Sequence, residues 1–91
     1  MQFETTNQFK KAYRKLSPSD KRRVDAAIDR FSKNPQHPRL ALEKVANQGS
    51  VWSFRASLRI RCTFEWDLGL DKLDSAELVL LRNLGGHEIY R

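Results

Sequence analysis

The spacing of apolar residues changes period once along these 91 residues, and that change constrains the fold more than any other feature. Up to residue 33 the repeat is helical. Phe9, Ala12, Tyr13 and Leu16 fall at i, i+3, i+4 and i+7, and Val24, Ala27, Ile28 and Phe31 repeat the pattern. Beyond residue 50 the repeat is two. Trp52, Phe54, Ala56 and Leu58 alternate with Ser53, Arg55 and Ser57. Ile60, Cys62, Phe64 and Trp66 alternate with Arg59, Arg61, Thr63 and Glu65. A helical stripe cannot serve as a strand face, nor the reverse. The chain must therefore lay helices over one face of a sheet.

Local signals set the expected boundaries. Gln2–Thr5 reads as a short strand. Thr5 or Thr6 can cap the first helix, with Gln8 three residues after Thr5 as a capping box wants. Ser17-Pro18-Ser19-Asp20 restarts a helix with a cap, a proline at the first helical position and an acid at the third. Pro35 ends that helix at Lys33-Asn34. A link of two or three residues makes the helices an antiparallel hairpin. Asn34–Arg39 is a loop, Leu40–Val45 fits neither period, and Asn47–Ser50 is a turn. Strands are expected at Val51–Ser57 and Arg59–Trp66, with a tight turn near Ser57–Arg59. Asp67–Ser75 reads as a polar loop. Glu77–Leu84, nearly all aliphatic, reads as a central strand covered on both faces and ended by Gly85-Gly86. The expectation is one α/β (α+β) domain over residues 1–91, ordered β-α-α-β-β-β, with two antiparallel helices on one face of an antiparallel-rich sheet and the other face open.

Charge narrows the partners. Residues 1–61 carry 14 basic and 5 acidic side chains, and residues 62–91 carry 3 and 6, within a net +6. Such a domain attracts polyanions, though a basic surface also serves plain solubility. One cysteine, Cys62, excludes an internal disulfide and fits a reducing cytoplasm. No apolar run approaches the ~20 residues of a membrane helix, so no membrane partner is expected. His37 and His87 lack ligand spacing, and neither a metal nor a cofactor is expected.

The period of two puts Arg55, Arg59 and Arg61 on the sheet face away from the core, a positive floor suited to phosphate. The plainer alternative is solvent-facing arginines paired with Glu65 and the acids of the loop; the shared face and the basic chain favour phosphate. His87 follows Gly85-Gly86 at a strand end beside that floor, and its ring titrates near neutral pH. Tyr90 can stack on a base or donate a proton, or simply tuck onto the core. Lys10, Lys11, Arg14 and Lys15 form a basic helix surface that can grip a phosphate backbone or merely be solvated. Arginines, a histidine and a tyrosine suffice for metal-free RNA cleavage.

The chain resembles the RelE/ParE superfamily of bacterial toxin–antitoxin toxins over nearly its whole length. The resemblance rests on Phe9-x3-Tyr13-x2-Leu16, Phe31-x2-Asn34-Pro35 with His37-Pro38-x-Leu40, Val51-Trp52-Ser53-x-Arg55, Leu58-Arg59-Ile60 and Leu84-Gly85-Gly86-His87-Glu88-x-Tyr90-Arg91. It implies a microbial-RNase-like fold and a cognate antitoxin with which the chain forms a hetero-oligomer; the sequence carries no signal for self-association, so the free, cytoplasmic protein is expected to be a monomer. In RelE-like members it implies ribosome-dependent mRNA cleavage. Arg59 matches the family's strand arginine at the scissile phosphate, His87 falls where members carry Arg or His, and Tyr90 matches a C-terminal aromatic. Arg55, Arg61, Lys10, Lys11, Arg14 and Lys15 are then the RNA-binding set. Leu58 stands where an aromatic is common, and Trp52, Phe54 and Arg55 stand where RelE proper carries lysines. The ParE branch keeps the fold and acts on DNA gyrase, so a non-catalytic inhibitor, or a degenerate toxin that only binds its antitoxin, remains open beside the nuclease.

Overall fold

The computed structural model describes residues 1–66 and 78–86. The order is β1 (Gln2–Thr5), α1 (Asn7–Arg14), α2 (Pro18–Lys33), a 3-10 turn (Pro38–Leu40), β2 (Glu43–Lys44), β3 (Trp52–Arg55), β4 (Arg61–Trp66) and β5 (Leu78–Gly85). The five strands form one sheet in the order β1-β5-β4-β3-β2. Only the β1–β5 pair is parallel. Two helices on a mostly antiparallel sheet match the expected α+β architecture, and β1 is both the edge strand and the neighbour of the last strand.

The helix ends follow from their caps. Ser17 accepts from the Asp20 backbone N–H at 3.2 Å, with Pro18 at the first helical position, as the sequence implies. In α1 the cap is Thr6, which accepts from Phe9 N–H at 3.0 Å. Gln8 is therefore the second helical residue and does not hold the capping-box position. The Thr6 hydroxyl also donates to the Arg82 carbonyl and ties the helix start to β5. Lys15–Ser17 links the helices, and the Tyr13 hydroxyl donates to Asp25 Oδ1 at 2.9 Å across the hairpin.

Phe31 is the centre of the core. Its ring meets Phe3 at 6.1 Å, Phe54 at 5.1 Å and Phe64 at 4.9 Å between centroids, joining α2 to three strands. Phe9, Val24, Ala27, Leu40, Cys62, Val79, Leu81 and Leu84 complete the buried cluster. Trp52 and Trp66 pair at 5.4 Å and pack, half-buried, against it.

Four expectations are corrected. Leu40–Val45 contains a 3-10 turn and the two-residue strand β2, whose hairpin to β3 closes through Asn47 and Gly49, both at positive φ. β5 is not covered on both faces, because Leu78 and Leu80 are only half-buried between the buried Val79 and Leu81. A bulge then re-aims it: Thr63 pairs with Asn83 but Phe64 with Leu81, so Arg82 is the extra residue and Leu84 returns to the core. The strands flanking the β3–β4 turn are shorter than expected, and Leu58, within that turn, is 88% exposed. The reverse sheet face is closed at its middle, where Ser53 and Thr63 are 1% and 3% exposed and Val45 and Val51 are buried apart from the main cluster. The Asp67–Ser75 loop and the His87–Arg91 tail lie outside the described residues.

Candidate nucleic-acid interface

The β3–β4 hairpin carries the site because its register lines up side chains of one parity. Trp52 faces Phe64 and Phe54 faces Cys62 toward the core. On the other parity, Ser53 faces Thr63, which faces Asn83, and Arg55 faces Arg61, which faces Gly85. The second of these rows crosses β3, β4 and the end of β5. It places two arginines side by side, next to the strand end from which the glycine pair leads to His87.

Like charges directly opposite on a ladder repel. Here both arginines are half-buried, and Arg55 Nε and Arg61 Nη1 are buried with no hydrogen-bond partner among the described residues. A buried unmet donor carries a desolvation cost of ~1–3 kcal/mol, more when charged. An oxyanion drawn between the two guanidinium groups would offset the repulsion and supply acceptors for their other N–H groups. Glu65 does not fill that role: it meets Arg82 at 3.2 Å and the Ser50 hydroxyl at 3.2 Å.

Arg59 is not part of the row. Residues 56–59 form the turn, where the Ser57 hydroxyl accepts from the backbone N–H groups of Arg59 at 3.3 Å and Ile60 at 3.2 Å. Those bonds suspend the alternation until β4 starts at Arg61. Arg59 is exposed and lines a cleft of about 390 Å³ with Asp20, Arg23, Ser57 and Leu58. The three-arginine floor expected from the sequence is thus a pair, Arg55 and Arg61, with Arg59 beyond it at the hairpin tip.

An adjoining cleft, also about 390 Å³, is lined by Arg23 and Arg30 of α2, Arg39 of the 3-10 turn, Arg55 of β3, and Ala56, Ser57 and Leu58. Sequence reading missed Arg30 and Arg39. One signal was available: Arg23 and Arg30 are seven apart, two turns on one helix face. Arg39 has none, because its place depends on the fold of a proline-flanked loop. There the His37 ring accepts from Arg39 N–H at 3.1 Å, which uses that histidine as a cap.

The lysine-rich helix lies elsewhere. Lys10, Lys11, Arg14 and Lys15 are exposed on or next to α1, which packs on β5. Lys10 and Arg14 border an apolar groove of about 510 Å³ with Phe3, Phe9, Tyr13, Ile28 and Leu81. Hydrogen bonding to Asp25 raises the Tyr13 hydroxyl pKa there, with help from burial and the nearby carboxylate charge. His87 and Tyr90 lie outside the described residues. Among the described residues no group of three or more His, Cys, Asp or Glu is placed to hold a metal ion, and no helix is long and apolar enough to cross a membrane.

No family model matches the chain, and no curated protein is significantly similar to it. Solved structures are. A YoeB/ParE toxin from Agrobacterium tumefaciens superposes with a TM-score of 0.72 at 12% identity, over 96% of this chain and 99% of that one. YafQ from E. coli strain BL21(DE3) gives 0.72 at 12% identity, over 97% and 94%. The intact E. coli RelBE toxin–antitoxin complex gives 0.63 at 13%, over 92% and 93%. The polypeptide has the fold of RelE/ParE-type toxins, as its sequence motifs imply.

Proposed function

We propose that this chain is the toxin of a type II toxin–antitoxin pair and a ribosome-dependent mRNA endonuclease that needs no metal. The observation that carries this reading is the row Arg55–Arg61–Gly85, with His87 two residues further along the chain. A general base takes the proton of a 2′-hydroxyl, and that oxygen attacks the adjacent phosphorus. A 2′,3′-cyclic phosphate forms as the bond from phosphorus to the 5′-oxygen breaks, and an acid returns a proton to that oxygen. Arg61, with Arg59 at the hairpin tip, binds the scissile phosphate and stabilises the extra charge of the phosphorane. His87 is the proton-transfer group in reach of neutral pH, and Tyr90 stacks or donates its phenolic proton. The complex of RelE-type toxin with its antitoxin supports a protein partner for this chain as well, an acidic one given the basic surface.

The test is primer extension on mRNA after induction, beside a growth assay. His87→Ala should lose about 10²–10⁴ in cleavage rate while the protein still folds and still co-purifies with its antitoxin. Arg61→Ala and Arg59→Ala should lose activity through charge stabilisation instead. If His87→Ala and Arg59→Ala both inhibit growth like the parent protein, the nuclease reading fails. A DNA gyrase supercoiling assay then decides for the inhibitor reading.

A further inference from the structure

Three separate elements converge on the cleft beside the hairpin tip. α2 gives Arg23 and Arg30, the 3-10 turn gives Arg39, and β3 gives Arg55. Among the described residues no carboxylate lines this cleft. Arg23 reaches Asp20 at 2.9 Å in an exposed pair, which is worth little in water. The side chains of Arg30, Arg39 and Arg55 form no ion pair among the described residues, and Arg55 Nε is a buried donor without a partner. A basic stripe along one helix is commonly a solvated face. Four guanidinium groups drawn from a helix, a turn and a strand into about 390 Å³ are not explained by any one element's surface pattern.

The chemistry of the lining favours phosphate. All four cations are arginine, whose planar fork meets a phosphate with two parallel hydrogen bonds. Among the described residues the rest of the wall is Ala56, Ser57 and the 88%-exposed Leu58, and the Ala56 and Leu58 side chains give apolar surface against which a ribose or base can rest. Position adds direction. Arg55 belongs both to this cleft and to the row with Arg61 and Gly85, while Arg23, Ser57 and Leu58 are shared with the cleft that holds Arg59. The basic surface is therefore continuous from the row to α2.

We propose that the Arg23–Arg30–Arg39–Arg55 cleft is a phosphate track that holds the single-stranded RNA backbone flanking the scissile linkage. This rests on the nuclease reading for the identity of the strand. It makes α2 and the 3-10 turn positioning elements of substrate binding, outside the proton-transfer chemistry.

The test uses the full chain and a labelled 12-nucleotide RNA, 2′-O-methylated so that it binds without being cut, with affinity read by fluorescence anisotropy across a salt series. Arg30→Gln with Arg39→Gln should weaken binding about tenfold or more, since each removes a charged hydrogen bond. The slope of log affinity against log salt should become shallower by about 1.4, at ~0.7 for each phosphate of a single strand that is no longer neutralised. Arg39→Gln alone, at an exposed position, should give half that change in slope and keeps the test valid if Arg30→Gln perturbs folding. Lys44→Gln removes the same charge from β2, outside the cleft, and should leave the slope unchanged. A parental slope in the double variant, or an equal loss in Lys44→Gln, overturns the track. Displacement of the RNA by free inorganic phosphate at equal phosphate concentration makes the cleft a small-anion site and also overturns it. So does tighter binding of a Glu-rich peptide of the same length, which assigns the cleft to an acidic protein. If the parent chain cuts no mRNA yet binds the strand through Arg30 and Arg39, the nuclease reading falls and the track stands.

Discussion

Cys62 sits between Phe54 and Leu84 on its neighbouring strands, fully buried, with its sulfur 3.7 Å from the Thr63 carbonyl. Burial pushes its thiol pKa far up. A group held protonated by the fold contributes stability that is complete below its ordinary pKa and is lost as pH rises past it. Urea midpoints should therefore hold up to about pH 8.5, the ordinary thiol value, and fall above it. Cys62→Ala should lower stability at pH 7 and flatten that alkaline decline, and Tyr13→Phe should flatten the portion above about pH 10. A thiol reagent should label native Cys62 only as fast as the chain opens. The burial of Cys62 was legible from parity, as was that of Phe54 and Phe64. The place of Arg59 was not. A turn near Ser57–Arg59 was legible, but alternation cannot register its length, which one serine hydroxyl fixes by bonding two backbone N–H groups, so Arg59 was counted into β4. Arg61 kept its assigned face because β4 resumes the count after the turn.

At the level of elements, Thr6 does two jobs with one hydroxyl, capping α1 and bonding the Arg82 carbonyl of β5. Thr6→Ala should cost about 1–2 kcal/mol, the upper part of the range for a lost cap, read as a lower urea midpoint at constant slope. Ser17→Ala removes a cap alone and should cost about 1 kcal/mol. Thr6→Ser should restore most of the loss. Both helices were legible because their stripes and caps are local. The end of α2 at Asn34 was equally so, since Pro35 acts on its neighbour. Strand β2 was not legible: two residues make no period, and Glu43 and Lys44 are strand only because β3 offers them partners. The bulge in β5 escaped notice for the same reason, being a property of the pair β4–β5 that neither segment encodes alone. The arginine cleft likewise appears only when α2, the 3-10 turn and β3 meet.

Among the described residues of the whole molecule, two regions gather basic charge. The lysine cluster rides on α1 above β5, and the arginines gather around the β3–β4 hairpin and α2. On the nuclease proposal, replacing Lys10, Lys11, Arg14 and Lys15 together with glutamine should weaken ribosome association and reduce its salt dependence, while mRNA is still cut at the same positions. Contacts to phosphate position a protein without reading sequence. A shift in cleavage positions would place α1 at the reading site instead. The parallel pair β1–β5 sets a schedule as well as a shape. Gln2 pairs with Leu78 and Thr5 with Leu81, so β1 is synthesised well before the partner strand it needs and waits for it. At about 5–20 residues per second, that wait is roughly 4–15 seconds of translation. During it the N-terminal strand has no partner and α1 has no β5 to cap against. A nascent chain cannot complete its sheet until β5 is made, and a binding partner that recognises the unfinished sheet has that interval to arrive first.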